Sequence, residues 1–493
     1  MNYRIKWLGS ACCVTMMLGL ASCAEGFDDN ERFSQGAGVK NTQLEAPQLE
    51  EKNLKVQINS DGSESVDVSW PVIYGAGGYL ANVSIVDNPE EPIKIVNDST
   101  IDGCHFSFPR LADTKYEITV STLGNEKLNN KPSTGASMIA YSTWAPATTI
   151  PAGVEISEFI AQSIDEATTG EVAFELVAGE TYELTGVADC KLANVTVRGS
   201  KFNRPLIVIS GEGKFVTQAG FTIKNVNVDM SDAPKQALIC MSDTPDERFN
   251  VKNTNPLSTR TGYVCPGAIV YESCNFRNIP SRIFMGGTAG WALSNFRIED
   301  CVMQINKQDE KAFISLDDSW SGLESIKLMI LRTSTFYNIS TVSKAYFFRV
   351  GSRAKIEDAF GPGATMVHNI DRCTFYKTFS SRHWANNLMS PQVTLNSSIL
   401  YDISRPDKWF LGQSGGKVTS DKNNVAWLGG DDDGATQPMR NEMKEISVAI
   451  EDPNFKGPVD QMFNLDLPLG GVSFDPQLQI CHQNQIGDPR WLE

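Results

Sequence analysis

The chain has 493 residues, 41% of them hydrophobic and 21% charged, enough for two or three domains and a large core. A formal net charge of −16 argues against a nucleic-acid partner, which calls for a basic face, and four histidines leave little room for a histidine-rich metal site. Eleven cysteines show no knot-like spacing, so any disulfide pairing stays open.

Residues 1–22 read as a leader: Arg4 and Lys6 open it, an apolar stretch from Trp7 to Leu20 follows, and Leu20-Ala-Ser-Cys23 closes it. Those last four residues resemble the lipobox of bacterial lipoprotein signals, which implies that Cys23 becomes a lipidated N-terminus. Glu25, Asp28, Asp29 and Glu31 come next. They resemble the surface-export tether of Bacteroidota lipoproteins, which implies a flexible segment over residues 23–42 and a lipid anchor in the outer membrane, facing outward. No other run approaches the ~20 apolar residues of a spanning helix.

Over residues 43–143 the pattern is that of short antiparallel strands. Val66-Asp-Val68-Ser-Trp70 and Tyr116-Glu-Ile118-Thr-Val120 alternate, and Gly75-Ala-Gly-Gly78 turns into Tyr79. Trp70, Tyr79, Leu111 and Tyr116 resemble the core array of a fibronectin type III domain, implying a β-sandwich that spaces the C-terminal part of the chain from the membrane. Residues 144–155, with Pro146 and Pro151, read as a linker.

Ile156, Phe159, Ile160 and Ile164 then fall on one face of a short helix, and two strand patterns flank Ala178-Gly-Glu-Thr-Tyr182. From there one motif returns: Leu192-Ala-Asn-Val195, Ile223-Lys-Asn-Val226, Tyr271-Glu-Ser-Cys274, Ile298-Glu-Asp-Cys301, Leu331-Arg-Thr-Ser334, Ile370-Asp-Arg-Cys373, Leu395-Asn-Ser-Ser398 and, weakly, Asp421 to Val425. An apolar residue points in, a polar one points out, a small or polar one turns the chain, and the next points in again. Cys274, Cys301 and Cys373 share the inward slot and read as small core residues. The irregular spacing and strand character predict an all-β solenoid whose coils stack about 4.8 Å apart, with a loop thrown off over residues 231–266. Helix, strands and coils together resemble the pectin-lyase-like fold. The resemblance implies a right-handed parallel β-helix over residues 156–493, with the helix capping its open end. Asp452-Pro-Asn-Phe455 and Gly487-Asp-Pro-Arg-Trp491 resemble the closing segments of β-helix lipoproteins from polysaccharide-utilisation systems, whose other components would be further partners.

Stacking lets outward columns be aligned from sequence. Before the turn the column reads Lys224, Glu272, Glu299, Arg332, Asp371 and Asn396. Pectate lyases, which this fold resembles, set carboxylates on an outer face to hold Ca²⁺ beside an arginine base. The resemblance implies Glu272, Glu299 and Asp371 as metal ligands and Arg332, with Glu299 and Asp371, as the catalytic group. A ladder of inter-coil ion pairs is the alternative. Asp431, Asp432 and Asp433 offer another set of hard oxygen ligands, unless they are only a solvated loop.

A second column pairs a basic residue with an aromatic two positions later: Arg282 with Phe284, Lys311 with Phe313, Lys344 with Tyr346, Arg382 with Trp384 and Lys408 with Phe410. It reads as a positive ridge for an anionic glycan, or as charge balance at turns. A third column, Tyr337, Tyr376 and Tyr401, should face outward and offer flat faces for sugar rings, unless a loop covers it. Asp317-Asp318 with Trp320 lies on a loop nearby. The expectation is a surface lipoprotein that binds acidic, pectin-like polysaccharide on the outer face of a β-helix. A Ca²⁺-assisted lyase or, behind it, a glycoside hydrolase on the same face is the first alternative, and a structural adhesin without glycan affinity the second.

Overall fold

The computed structural model describes residues 39–59, 64–341, 346–351, 353–378, 385–386, 389–402, 417–427 and 444–492. Cys23, Lys344, Arg382, Lys408 and the acidic run at Asp431 lie outside the described residues. The chain divides into two compact units, one ending at Pro146 and the other beginning at Ala147.

The first unit is built from antiparallel strands β1 (Leu54–Ile58), β2 (Glu64–Ser69), β3 (Tyr79–Ile85), β4 (Ile93–Ile101), β5 (His105–Pro109), β6 (Lys115–Thr122) and β7 (Ser137–Ser142). They form two sheets, β1-β2-β5 and β4-β3-β6-β7. Alternation puts Val66, Val68, Phe106 and Phe108 of one sheet against Tyr79, Val83, Tyr116, Ile118 and Val120 of the other, in one shared core. Each such side chain contributes roughly 1.5–3 kcal/mol by leaving water. Trp70 meets Tyr79 edge-on at 5.2 Å. Leu111 does not join this core: it is 48% exposed, and only its backbone is held, by an N–H donated to the Tyr116 hydroxyl at 2.7 Å.

The second unit is a parallel β-helix of three sheets. Sheet A has ten strands, from Thr148–Ile150 to Lys417–Thr419; sheet B has nine, from Thr181–Leu184 to Val425–Trp427; sheet C has seven, from Val187–Asp189 to Ala385–Asn386. In each, strands from successive coils lie side by side, as the repeat requires. Sheet A begins earlier than the sequence suggests, because Thr148–Ile150 pairs with Thr169–Leu176 and takes up part of the expected linker. Helix α1 (Ile156–Ser163) buries Ile156 and Ile160 on the first coil. Its N-terminus is fixed by the Glu155 carboxylate, which accepts the N–H groups of Glu158 and Thr185, both at 2.7 Å. An unpaired strand edge at this end would invite association, and the helix covers it.

The turn from sheet A to sheet B explains the repeat. Asn225, Ser273, Asp300, Thr333, Arg372 and Ser397 all have left-handed backbones, with φ between 45° and 57°. Their N–H groups donate to the next coil: Ser273 to the Glu299 carbonyl at 2.9 Å, Asp300 to Arg332 at 3.1 Å, Thr333 to Asp371 at 3.0 Å and Arg372 to Asn396 at 3.1 Å. In the inward slot behind them the Cys301 and Cys373 amides donate to the hydroxyls of Ser334 and Ser398 at 3.0 and 3.1 Å. Burial pushes the Cys301 and Cys373 thiols up, which keeps them protonated and inert. The described cysteines carry free thiols.

Two repeats fall elsewhere than expected. Leu192–Arg198 is a single strand of sheet A in which Val197 pairs with Ile223, so the first turn is at Gly199, five residues after the motif Leu192-Ala-Asn-Val195 places it. The long interval contains a strand of sheet C, Ala237–Met241, and Pro266 lies within Tyr263–Glu272. The segment off the stack therefore narrows to residues 242–262, whose Val251 packs with Leu323 and Ala359.

Candidate functional site

Outward side chains of sheet A stack in register near its turn: Lys224 beside Glu272, Glu272 beside Glu299, Glu299 beside Arg332, Arg332 beside Asp371, and Asp371 beside Asn396. Two residues earlier on the same face stand Arg297, Ile330, Asn369 and Thr394. The Arg332 guanidinium lies 3.4 Å from Glu299, which also takes Arg297 at 3.6 Å, and Arg372 lies 3.6 Å from Asp371. These are partly exposed pairs, worth on the order of 0–1 kcal/mol each.

Between the last strands of this face lies an open depression of about 470 Å³, lined by Arg332, Asp371, Arg372, Asn369, Thr394 and Asn396 over the aliphatic Ile330. Two arginines, two asparagines and a threonine line it together with Asp371, which pairs with Arg372. Sequence reasoning found Arg332, Asp371 and Asn396 and missed the others. Asn369 and Thr394 were available from the two-residue period, and Arg372 was read only as a turn residue.

The expected metal set does not come together. Glu272 and Glu299 are neighbours, but the strand carrying Arg332 stands between Glu299 and Asp371, which puts those two carboxylates about 10 Å apart at ordinary strand spacing. Among the described residues, no three carboxylate, imidazole or thiol groups gather to hold a metal ion.

The tyrosine column faces outward from sheet B and is covered. Tyr337 and Tyr376 are buried and Tyr401 is half-buried, because residues 453–491 cross this face and set Phe455, Phe463, Phe474 and Trp491 on it. Tyr376 stacks on Tyr401 at 4.7 Å and donates to Asp460 at 3.0 Å, while Gln304 donates to the Tyr337 hydroxyl at 2.8 Å. Burial pushes both tyrosine hydroxyls up. These tyrosines are therefore no sugar platform in the folded chain.

The basic column is also altered. Phe284 pairs with Ile314, and Ile314 with Phe348, so Lys311 and Phe313 stand one position out of step with Arg282 and Phe284. A one-residue slip exchanges the two faces of a strand. Arg282 is buried against Asp318, and Lys311 approaches the same carboxylate at 3.8 Å. Asp317 is held by Arg349 at 3.0 Å. Arg282 and Lys311 thus share Asp318 and do not form a free ridge.

Two family models match the chain, each described as a domain of unknown function: DUF4992 over residues 3–185 and DUF4957 over residues 180–339. They meet at the first strand of sheet B, Thr181–Leu184, and not at the boundary between the compact units. No curated protein matches the chain.

Proposed function

We propose that this chain is a cell-surface lipoprotein that binds acidic, pectin-like polysaccharide in the depression at Arg332 and Arg372. The observation that carries this reading is that two arginines line one depression with Asn369, Thr394 and Asn396 over Ile330, where the one lining carboxylate, Asp371, is paired with Arg372. Guanidinium groups suit uronate carboxylates, amides and the hydroxyl suit ring substituents, and the aliphatic floor suits the apolar face of a sugar. Lipidation at Cys23 would fix the protein to the outer membrane. The first unit would act as a fibronectin type III-like spacer, a reading supported by its strand order and by the Tyr116 hydroxyl bonded to the backbone upstream.

Binding is favoured over a lyase because the carboxylates of Glu272, Glu299 and Asp371 are not gathered to hold a metal ion beside Arg332. The test is affinity gel retardation of the chain starting at Cys23 on polygalacturonate and on methyl-esterified pectin, with ultraviolet absorbance recorded on the same mixtures. Retardation without new absorbance, weakened at least about tenfold in Arg332→Ala, is expected, which corresponds to ~1.4 kcal/mol. A calcium-dependent rise in absorbance that Arg332→Ala abolishes would replace binding by elimination.

A further inference from the structure

A second surface combines aromatic and cationic chemistry away from this depression. Trp320 is 70% exposed, the most exposed aromatic ring of the β-helix among the described residues. It stands on the loop between sheet C and the sheet A strand Ser325–Arg332, at the opposite end of that strand from Arg332. Seven steps of ~3.3 Å along the strand separate its two ends by roughly 23 Å.

The loop is preorganised. The carboxylate of Glu324, itself 1% exposed, accepts the Ser321 N–H at 2.7 Å, the Ser321 hydroxyl at 3.0 Å and the Gly322 N–H at 3.1 Å. Gly322 has φ +81°, and a Cβ there would stand 2.9 Å from Nη1 of Arg260, so the Arg260 guanidinium lies directly against the loop. Gly351 closes in from the other side, where any Cβ would overlap the Ser319 carbonyl. The loop backbone that carries the exposed indole is therefore fixed before any ligand arrives.

Charge around the indole is arranged in the same sense. The acids that precede it in the loop are already engaged, Asp317 by Arg349 and Asp318 by Arg282 and Lys311, and the Glu324 carboxylate is taken up by the loop backbone. Arg260 is half exposed and pairs with Asp358 at 3.5 Å, so part of its guanidinium still faces water. An exposed indole two residues from the glycine against which Arg260 packs offers a stacking face for a sugar ring and a cation for its carboxylate.

We infer that the Trp320 loop is a second binding site for an acidic sugar, with Trp320 as the stacking face and Arg260 as the carboxylate partner. Its ligand class rests on the glycan reading above, while its geometry is independent of the Arg332 depression.

The test uses the full chain from Cys23 with polygalacturonate and methyl-esterified pectin as probes, comparing wild type, Trp320→Ala, Trp320→Phe, Arg260→Ala and Arg332→Ala. Trp320→Ala should weaken retardation by both probes at least tenfold, with Trp320→Phe close to wild type. Arg260→Ala should weaken polygalacturonate binding and leave the esterified probe unchanged. If Trp320→Ala binds as wild type while Arg332→Ala does not, this site is refuted and the depression stands. Loss in Trp320→Ala with none in Arg332→Ala would support this site and refute the depression. A wild-type chain that retards on neither probe would overturn the ligand class for both.

Discussion

His368 lies fully buried on the inner side of sheet A, its Nε2 3.3 Å from the Ile326 carbonyl and its ring 5.9 Å from Phe348. Burial pushes its imidazole down to about 4, from the ordinary value near 6.5. The folded chain thus keeps it neutral in a range where the unfolded chain takes up a proton. Stability from this group is complete above pH ~6.5 and is lost as pH falls toward 4, by about 3 kcal/mol in all. Relative to wild type, His368→Leu should therefore gain stability between pH 7 and pH 4.5. Denaturant midpoints at the two pH values check this, and an offset between the proteins that stays constant would refute it. The histidine could be picked out from sequence, but its environment could not: its place opposite Met329 and Val393 emerges only once the strands are in register.

The sheet A to sheet B turn is the best-read element of the chain, and also a strained one. A β-branched residue with positive φ carries a penalty of about 1–2 kcal/mol, and Thr333 has φ 46°. Thr333→Asn, which tolerates that backbone, should raise the melting temperature, with a gain of about 1 kcal/mol, and leave glycan retardation unchanged. The turn was legible because it repeats locally, four residues at a time. The cover over the tyrosines was not, because nothing near Tyr337 or Tyr376 in sequence encodes it. Its clue lay in Phe455, Phe463, Phe474 and Trp491, aromatic residues outside the coil pattern that still needed a place out of water. Trp491 donates its indole N–H to the Thr335 hydroxyl at 2.7 Å, across 156 positions. Trp491→Ala should destabilise the chain by about 3–5 kcal/mol and raise binding of an environment-sensitive apolar dye. A melting temperature within a degree of wild type would mean that the segment is dispensable.

At the scale of the molecule, register decides which sequence columns become surfaces. The Glu299, Arg332 and Asp371 column kept its alignment because each strand pairs residue for residue, whereas the Arg282 and Lys311 column was lost to a slip of one position. Charge acts at this scale too. Asp488 is almost fully buried, and burial pushes its carboxyl up to about 6 against the pull of Arg490 and the Thr335 hydroxyl. A carboxyl raised in the folded state contributes stability below its unfolded value near 3.9, and that contribution is lost as pH rises to about 6. It opposes His368 over nearly the same interval. Carboxylates held low, Asp229 and Asp309 among them, act in the same sense as His368, so the expected outcome is a difference: the melting temperature of the His368→Leu chain should rise relative to wild type as pH falls from 6 to 4, and thermal melts of both across that interval check it. The residues that seal Tyr337 and Tyr376 lie far downstream of them in the chain, so a coil stack formed without that segment would carry a wet aromatic stripe on sheet B. Left open, that stripe would offer another chain an apolar surface to dock on, which makes the crossing segment a seam that closes the solenoid along its side as the helix closes it at its end.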